Sequence, residues 1–481
     1  MLLRSTLIYA PAILLTRISA LLLLVVATRL IDQTEYGLFT LVVTIGEMTD
    51  IAVTNWLRIA LLRLGGKGEI TRGSVIIAGR LLLGTTTLAL GISVIAAIAI
   101  VPERWNAFAI AVCAYLVAGA VSRFALTVLQ MQQRHSAYSS LEFLRAVLQL
   151  ALPIAAITVF PNSFLGMSLG SSLGALLAGV VASVMASGHL VAGPPRFTAR
   201  EFAVIGVPLV FMALVGFGLN SAERLILKLY HDAGAVAIFA AAYALARQPI
   251  DMVANAINMG GFPEMVSRFD DEGPAAAGDF LTGLMALMFR LCLPVAALLV
   301  ALSGDITGLA LPAEYHGQTA RLFPVIAFSV LCANLTSFVY GSVVHAHKRQ
   351  WLLIIANAIG SVAAIALSMI LIPAMAEFGA ALALAGGSVS ALAACFVISE
   401  RLTPVPVPWR DIGLSCVISI STGLAAWLVT LIFGDAHAVI RLMAGGVAGG
   451  LVFLALNARF HREATMRIVA RVFARIRALH R

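Results

Sequence analysis

The chain has 481 residues, 61% of them hydrophobic and 11% charged, with a formal net charge of +9. Soluble domains carry roughly 45–50% apolar and about 25% charged residues, so a string of water-soluble domains is excluded and the bilayer is the solvent for most of the chain. The basic residues lie in short segments and at the C-terminus rather than in a folded basic module, which sets nucleic acid aside as a partner.

A membrane crossing needs about 20 mostly apolar residues. In chain order such runs occupy 6–28, 36–60, 77–100, 106–130, 140–160, 163–188 and 203–222, then 234–260, 280–303, 320–345, 351–373, 377–399, 411–433 and 438–457, which makes fourteen. Their length and helical periodicity point to helices and exclude a β-barrel, because backbone groups in hydrocarbon must be paired within the segment. The expected fold class is an all-α polytopic membrane protein. Met1–Ala10 begins like a secretion signal, but the apolar run is long and no small-residue cleavage site follows, so it is expected to stay as the first crossing. The five cysteines (Cys113, Cys292, Cys332, Cys395, Cys416) fall inside crossings without metal-ligand spacing, and are expected to be inert small hydrophobes. No metal and no cofactor is expected.

Arg and Lys of short loops stay in the cytoplasm. With the N-terminus inside, nineteen fall on the cytoplasmic side, among them Arg63, Lys67, Arg72, Arg134, Arg196, Arg200 and seven arginines from Arg459 onward. Five fall outside: Arg29, Arg104, Arg224, Lys228 and Arg441. Both termini are therefore expected in the cytoplasm. In the tail, Met466, Val469, Phe473 and Ile476 share one helical face and Arg467, Arg471 and Arg475 another, the pattern of an interfacial helix attracted by anionic lipids.

A weak internal repeat pairs Arg29-Leu30-Ile31 with Arg224-Leu225-Ile226, followed by Gly37 and Gly234, at an offset near 195. It divides the chain into two six-helix lobes, 1–200 and 201–400, two additional helices in 401–457 and a basic amphipathic tail in 458–481. Transporters built this way place substrate near midplane between their halves.

The segment Arg29-Leu30-Ile31-Asp32-Gln33-Thr34-Glu35-Tyr36-Gly37-Leu38-Phe39 resembles the junction of the first two helices in the oligosaccharide (O-antigen-type) flippases of the multidrug/oligosaccharidyl-lipid/polysaccharide exporter superfamily. Phe262-Pro263-Glu264-Met265-Val266-Ser267-Arg268 is similar to that family's proline-containing exit from the eighth helix, and Leu309 to Tyr315 resembles its loop between helices nine and ten. The matches occur in the family's order and cover about residues 1–400. The resemblance implies a two-lobed bundle with a central cavity lined by helices 1, 2, 7 and 8. It implies alternating-access movement of undecaprenyl-pyrophosphate-linked oligosaccharide repeat units across the bacterial inner membrane, coupled to a proton or sodium gradient. The expected partners are that lipid-linked substrate, anionic lipids at the tail, and the polymerase and glycosyltransferases of a polysaccharide pathway.

An ionisable side chain at bilayer depth costs about 2.5–3.5 kcal/mol on insertion scales and usually faces a cavity or another charge. Arg17 lies roughly 16 Å from the inner end of its helix, near midplane; Glu47, Asp50, Arg247 and Asp251 fall at similar depth, with Pro249 between the last two. Guanidinium binds pyrophosphate through forked hydrogen bonds, which makes Arg17 and Arg247 the first candidates for substrate binding, Arg290 the next, and Arg58 a candidate at the inner mouth. Glu47 and Asp50 share a helix face and, with Asp251, are the candidates for ion coupling. The structural alternative is that the acids neutralise Arg17 and that Arg247 simply pairs with Asp251; for single residues both readings stand, and for the cluster function is favoured. Arg145 is expected to pair with Glu142, while Arg80, Arg123 and Arg321 read as interface or packing residues, and Asn220, Asn255 and Asn258 as helix bridges or sugar ligands.

Three rivals share parts of this pattern. A drug/cation antiporter of the superfamily has twelve helices and favours acidic cavities. The peptidoglycan lipid-precursor flippase also has fourteen helices. A membrane-embedded sugar polymerase or ligase needs a large outer loop, whereas the longest here, about 302–319, holds only Asp305, Glu314 and His316 as titratable groups. Without a nucleophile triad, metal cluster or phosphate loop in the sequence, an enzyme is not expected.

Overall fold

The computed structural model describes residues 2–65, 71–434 and 436–460, without the side chains of 2–14, 207–209, 211, 212 and 220. The expected tail helix, Lys67 and the side chain of Asn220 lie outside the described residues. Apart from one isolated bridge between Thr71 and Val191, the described residues contain helices and no strand. The protein is an all-α polytopic membrane protein, and eleven of its described helices are long and apolar enough to cross a bilayer.

In chain order the helices are α1 (Leu2–Leu30), α2 (Gln33–Val53), α3 (Asn55–Gly65), α4 (Arg72–Ile100), α5 (Trp105–Met131), α6 (His135–Val159), α7 (Phe164–Ser187) and α8 (Ala199–Tyr230). They continue as α9 (Ala233–Asp271), α10 (Pro274–Ala301), α11 (Ser303–Ala310), α12 (His316–Leu335), α13 (Gly341–Ala346), α14 (Trp351–Leu402), α15 (Trp409–Ile432) and α16 (Ala438–Phe460). Each of the fourteen expected crossings coincides with a helical pass, with three local departures.

The second crossing breaks at Thr54 into α2 and α3. The Thr54 N–H and hydroxyl both donate to the Asp50 carbonyl, at 2.8 and 3.1 Å, and the Trp56 indole N–H takes the Val53 carbonyl at 2.9 Å, so the break leaves these carbonyls satisfied as an apolar medium demands. The tenth crossing passes through a π turn, Thr336–Tyr340, between α12 and α13. The eleventh and twelfth form the single helix α14, interrupted at Ala376, whose φ of 47° and ψ of −127° lie outside helical geometry. The loop expected over 302–319 contains α11 and a short 3-10 turn, Ala313–Tyr315.

The chain divides into two compact units, Met1–Ala244 with Asn357–Gly387, and Leu245–Ala356 with Ser388–Arg481. In the first, α7 packs between α5 and α6 and buries Gly166, Gly170, Ser172, Gly174, Ala175, Ala178 and Gly179; small residues let helix backbones approach closely where no hydrophobic effect drives them together. In the second, α15 and α16 pack on each other, and α15 packs on α10.

The repeat is visible in the helix junctions at a different register. Asp32 caps α2 by accepting the Glu35 N–H at 2.9 Å, and Asp232 accepts the Ala235 N–H at 2.9 Å at the start of α9. Corresponding positions are therefore 200 residues apart rather than about 195, because the helix junction and not the Arg-Leu-Ile triplet is the repeated feature. In this register Phe39 matches Phe239, and Glu47 matches Arg247.

The segment that carries the family resemblance is a clasp of the first unit. Asp32 N–H donates to the Asn162 side-chain carbonyl at 2.8 Å and Asn162 Nδ2 returns a bond to Asp32 Oδ2 at 2.7 Å. Glu35, 6% exposed, pairs with Arg104 and accepts the Phe164 N–H at 2.8 Å. A Cβ on Gly37 would collide with the Ala233 carbonyl, so only glycine permits this approach of α2 to the start of α9.

Candidate functional site

Two groups of ionisable side chains lie deep in the helices, one in each unit. In the first unit Asp50 is 5% exposed and is held by three side chains. The Thr54 hydroxyl donates to Oδ1, Arg58 Nη2 donates to Oδ2 at 2.6 Å, and Arg123 Nη2 sits 3.3 Å from Oδ1. Eight residues of continuous helix rise about 12 Å; the break at Thr54 and the length of the arginine side chain bring Arg58 back to Asp50. Arg58 Nη2 also donates to Asn55 Oδ1 at 2.8 Å.

Arg123, from α5, lies with Cζ 5.5 Å from the centroid of the Tyr115 ring. Space for it comes from Gly119, where a Cβ would stand 2.6 Å from the Arg123 Cζ, and for the ring from Gly46, where a Cβ would stand 2.7 Å from Tyr115 Cε1. Arg123 Nε and Nη2 and Arg58 Nε are buried without hydrogen-bond partners. Two guanidinium groups around one carboxylate leave one positive charge in excess in a medium that does not screen it.

Glu47, one turn before Asp50, stands on the wall of a cavity between α1, α2, α5, α6 and α7, along with Arg123 and Arg145. Arg224 and Arg123 attract it electrostatically. Arg145 is paired with Glu142 at 2.6 Å. Arg17 is half-buried on α1, and its neighbours Thr16 and Ser19 line the same cavity.

In the second unit Arg247 Nε donates to Asp251 Oδ2 at 2.7 Å. The Arg247 side chain is 36% exposed and that of Asp251 10%. Asn334 on α12 donates to Asp251 Oδ1 at 3.1 Å, and Asn255 donates to the Asp251 carbonyl at 2.6 Å. The π turn begins two residues after Asn334, and such turns recur at functional sites because they re-aim the side chains around them. Arg290 donates from Nε to Asn457 Oδ1 at 2.6 Å, tying α10 to α16.

The sequence candidates thus separate. Glu47, Asp50 and Arg58 come together in one network, Arg17 lies on a helix bordering the same cavity, and Arg247 and Asp251 form a second centre. Arg290 contacts a residue of the last helix. Arg58 is only 13% exposed and is held by Asp50 rather than presented at an open mouth. Arg123 and Tyr115 join the network although the sequence read Arg123 as packing; the signal was the spacing Tyr115, Gly119, Arg123, which puts a phenol, a gap and a cation on successive turns of one helix face. Arg224, read as an outer loop cation, lies inside α8 with Cζ 5.2 Å from the centroid of the Tyr243 ring. Its neighbour Glu223 is 1% exposed and neither of its carboxylate oxygens accepts a hydrogen bond. Among the described residues no group of three or more His, Cys, Asp and Glu is placed to hold a metal ion.

A sequence profile described as polysaccharide biosynthesis protein matches residues 2–269, more than half of the chain. The chain belongs to the polysaccharide biosynthesis protein family. No curated protein matches it. Among solved structures it is similar to the lipid II flippase MurJ in an inward closed conformation, with 14% identity, a TM-score of 0.75, and coverage of 95% of this chain and 100% of that one. It is also similar to an inward-facing multidrug resistance MATE family transporter of the MOP superfamily, with 13% identity, a TM-score of 0.59, and coverage of 80% and 94%. A third likeness, with 11% identity, a TM-score of 0.54 and coverage of 83% and 94%, is to a MOP superfamily transporter from Pyrococcus furiosus described as having a binding pocket of reverse polarity. At these identities the likeness is one of fold.

Proposed function

We propose that the protein moves undecaprenyl-pyrophosphate-linked oligosaccharide repeat units across the bacterial cytoplasmic membrane, by ion-coupled alternating access, for the synthesis of a surface polysaccharide. The observation that carries this reading is Arg247. It is a guanidinium at membrane depth, still one-third exposed, whose orientation is fixed by a buried aspartate that is itself fixed by Asn334. A cation held this way is ready to exchange its contacts with water for an anionic headgroup without first reordering its own side chain. Family membership supports a glycan as the cargo. Of the three candidate coupling acids, Asp50 and Asp251 are each engaged by two or more donors from other residues, so Glu47 is assigned the coupling ion.

The test is genetic and chemical. A strain lacking the gene should accumulate the lipid-linked repeat unit in the inner leaflet, and the wild-type gene should clear it. Arg247→Ala should fail to clear it at normal protein level, and Arg247→Lys should restore only part, because an ammonium lacks the fork. Full clearance by Arg247→Ala would remove that residue from the mechanism.

The similarity to MurJ over nearly the whole of both chains favours one second reading, a flippase for the lipid precursor of peptidoglycan. Rescue of cells depleted of their lipid II flippase, with no lipid-linked repeat accumulating in the deletion strain, would select it.

A further inference from the structure

The cavity of the first unit has a volume of about 380 Å³, within the range of sites for small organic molecules, roughly 300–1,000 Å³. Its walls are not those of a packing defect between apolar helices. Gln149 of α6, Ser172 of α7, Arg123 of α5 and Glu47 of α2 bring an amide, a hydroxyl, a guanidinium and a carboxylate to one space, with the rings of Tyr36 and Phe39 beside them.

Two of these groups are incomplete. Glu47 is exposed to this space and makes no hydrogen bond or ion pair with the described residues, although its neighbour Asp50 is held by Thr54, Arg58 and Arg123. Ser172 is 6% exposed and its hydroxyl has no partner. Buried polar groups in native proteins are nearly always paired, and the Ser172 hydroxyl is an exception that calls for a missing partner.

The charge balance narrows the partner. Of the charged residues that line the cavity, Arg123 shares Asp50 with Arg58, Arg145 is balanced by Glu142, and Glu47 adds one further carboxylate, so the lining and its ion-pair partners hold three cations and three anions. A wall near neutrality does not suit a pyrophosphate, which needs a surplus of cations, and Glu47 would repel it. It suits a molecule that is uncharged, donates and accepts hydrogen bonds around its rim and presents C–H faces to aromatic rings.

We propose that this cavity is a subsite for one uncharged sugar ring of the transported glycan. The inference rests on the carrier reading given above and names what that reading leaves open, the part of the cargo that enters the first unit. Sugar hydroxyls donate to Glu47 and accept from Arg123 and the Gln149 amide, while the ring packs against Tyr36 and Phe39.

The experiment uses the full chain in lipid nanodiscs and saturation-transfer NMR with methyl glucoside, methyl galactoside and methyl N-acetylglucosaminide. Glucuronate and inorganic pyrophosphate serve as charged comparisons. Transfer is expected to at least one neutral glycoside, with an apparent affinity about tenfold weaker in Ser172→Leu, which fills the space, and in Gln149→Ala, which preserves it. Equal melting temperatures show that both variants are folded. Absence of transfer to every neutral glycoside, undiminished transfer in both folded variants, or displacement of the glycoside by equimolar pyrophosphate would each overturn the subsite. Failure of the carrier reading is seen elsewhere, as a deletion strain that accumulates no lipid-linked repeat unit, and does not touch this measurement.

Discussion

Asp50 and Glu47 are one helical turn apart and have opposite circumstances. Among the described residues Asp50 is the sole carboxylate paired with Arg58 and Arg123, so its loss strands two buried cations, and breaking a buried ion pair by removing one partner costs about 3–5 kcal/mol. Asp50→Ala should therefore lower the melting temperature in detergent and reduce the amount of protein in the membrane. Glu47→Gln removes a charge that makes no hydrogen bond or ion pair with the described residues, so it should lower the melting temperature less than Asp50→Ala does and alter the dependence of transport on the proton or sodium gradient. The same melting loss from both substitutions would place Glu47 in the structural network. Glu47, Asp50, Arg247 and Asp251 were all legible in the sequence, because a charge in a long apolar run stands out by itself. Their partners were not. Arg123 belongs to Asp50 across two helices, and no spacing within α5 records which helix lies opposite. Arg290 and Asn457 are far apart in the chain and meet only because α16 returns to α10.

The helix ends were legible to within about six residues except for α8 and α9, which run on to Tyr230 and Asp271, past the expected ends at 222 and 260, and the breaks within the crossings have local causes. A continuous crossing over 36–60 follows from hydropathy alone, but Thr54 offers its hydroxyl to the Asp50 carbonyl and carboxylate and ends α2 there. The start of α8 is specified by a capping box. Thr198 Oγ1 accepts the Glu201 N–H at 3.3 Å, while the Thr198 N–H and hydroxyl donate to Glu201 Oε2 at 2.6 and 2.8 Å. These bonds, the backbone N–H first, hold the Glu201 carboxyl below the usual carboxylate range. A depressed acid stabilises the helix end above its ordinary pKa, and the contribution disappears as pH falls through the lowered value. Amide exchange over the first turn of α8, expressed relative to the intrinsic rate at each pH, should therefore be slow at neutral pH and rise selectively under acid, and Glu201→Gln should flatten that acid-induced rise. An identical rise in the variant would show that the cap is not what titrates.

The all-α polytopic class follows from composition and run length, and the motif from Arg29 to Phe39 lies within the residues matched by the polysaccharide biosynthesis protein profile. Hydropathy could not reveal that the junction bearing this motif is a clasp joining α2, the turn at Arg104 and the start of α7, since those contacts connect residues up to 130 positions apart. The register of the repeat was also hidden, because an Arg-Leu-Ile triplet is a chance match whereas a helix cap such as Asp32 or Asp232 is recognisable only once the helix ends are known.

That register makes Glu47 and Arg247 counterparts. Identical subunits assembled around a symmetry axis must place the same residue at every equivalent position, so a self-assembled pair of half-sized chains has two acids there or two bases. Covalent fusion of the halves frees each copy to mutate alone. An anionic position in one copy and a cationic one in the other are open to a protein that carries both copies on a single polypeptide.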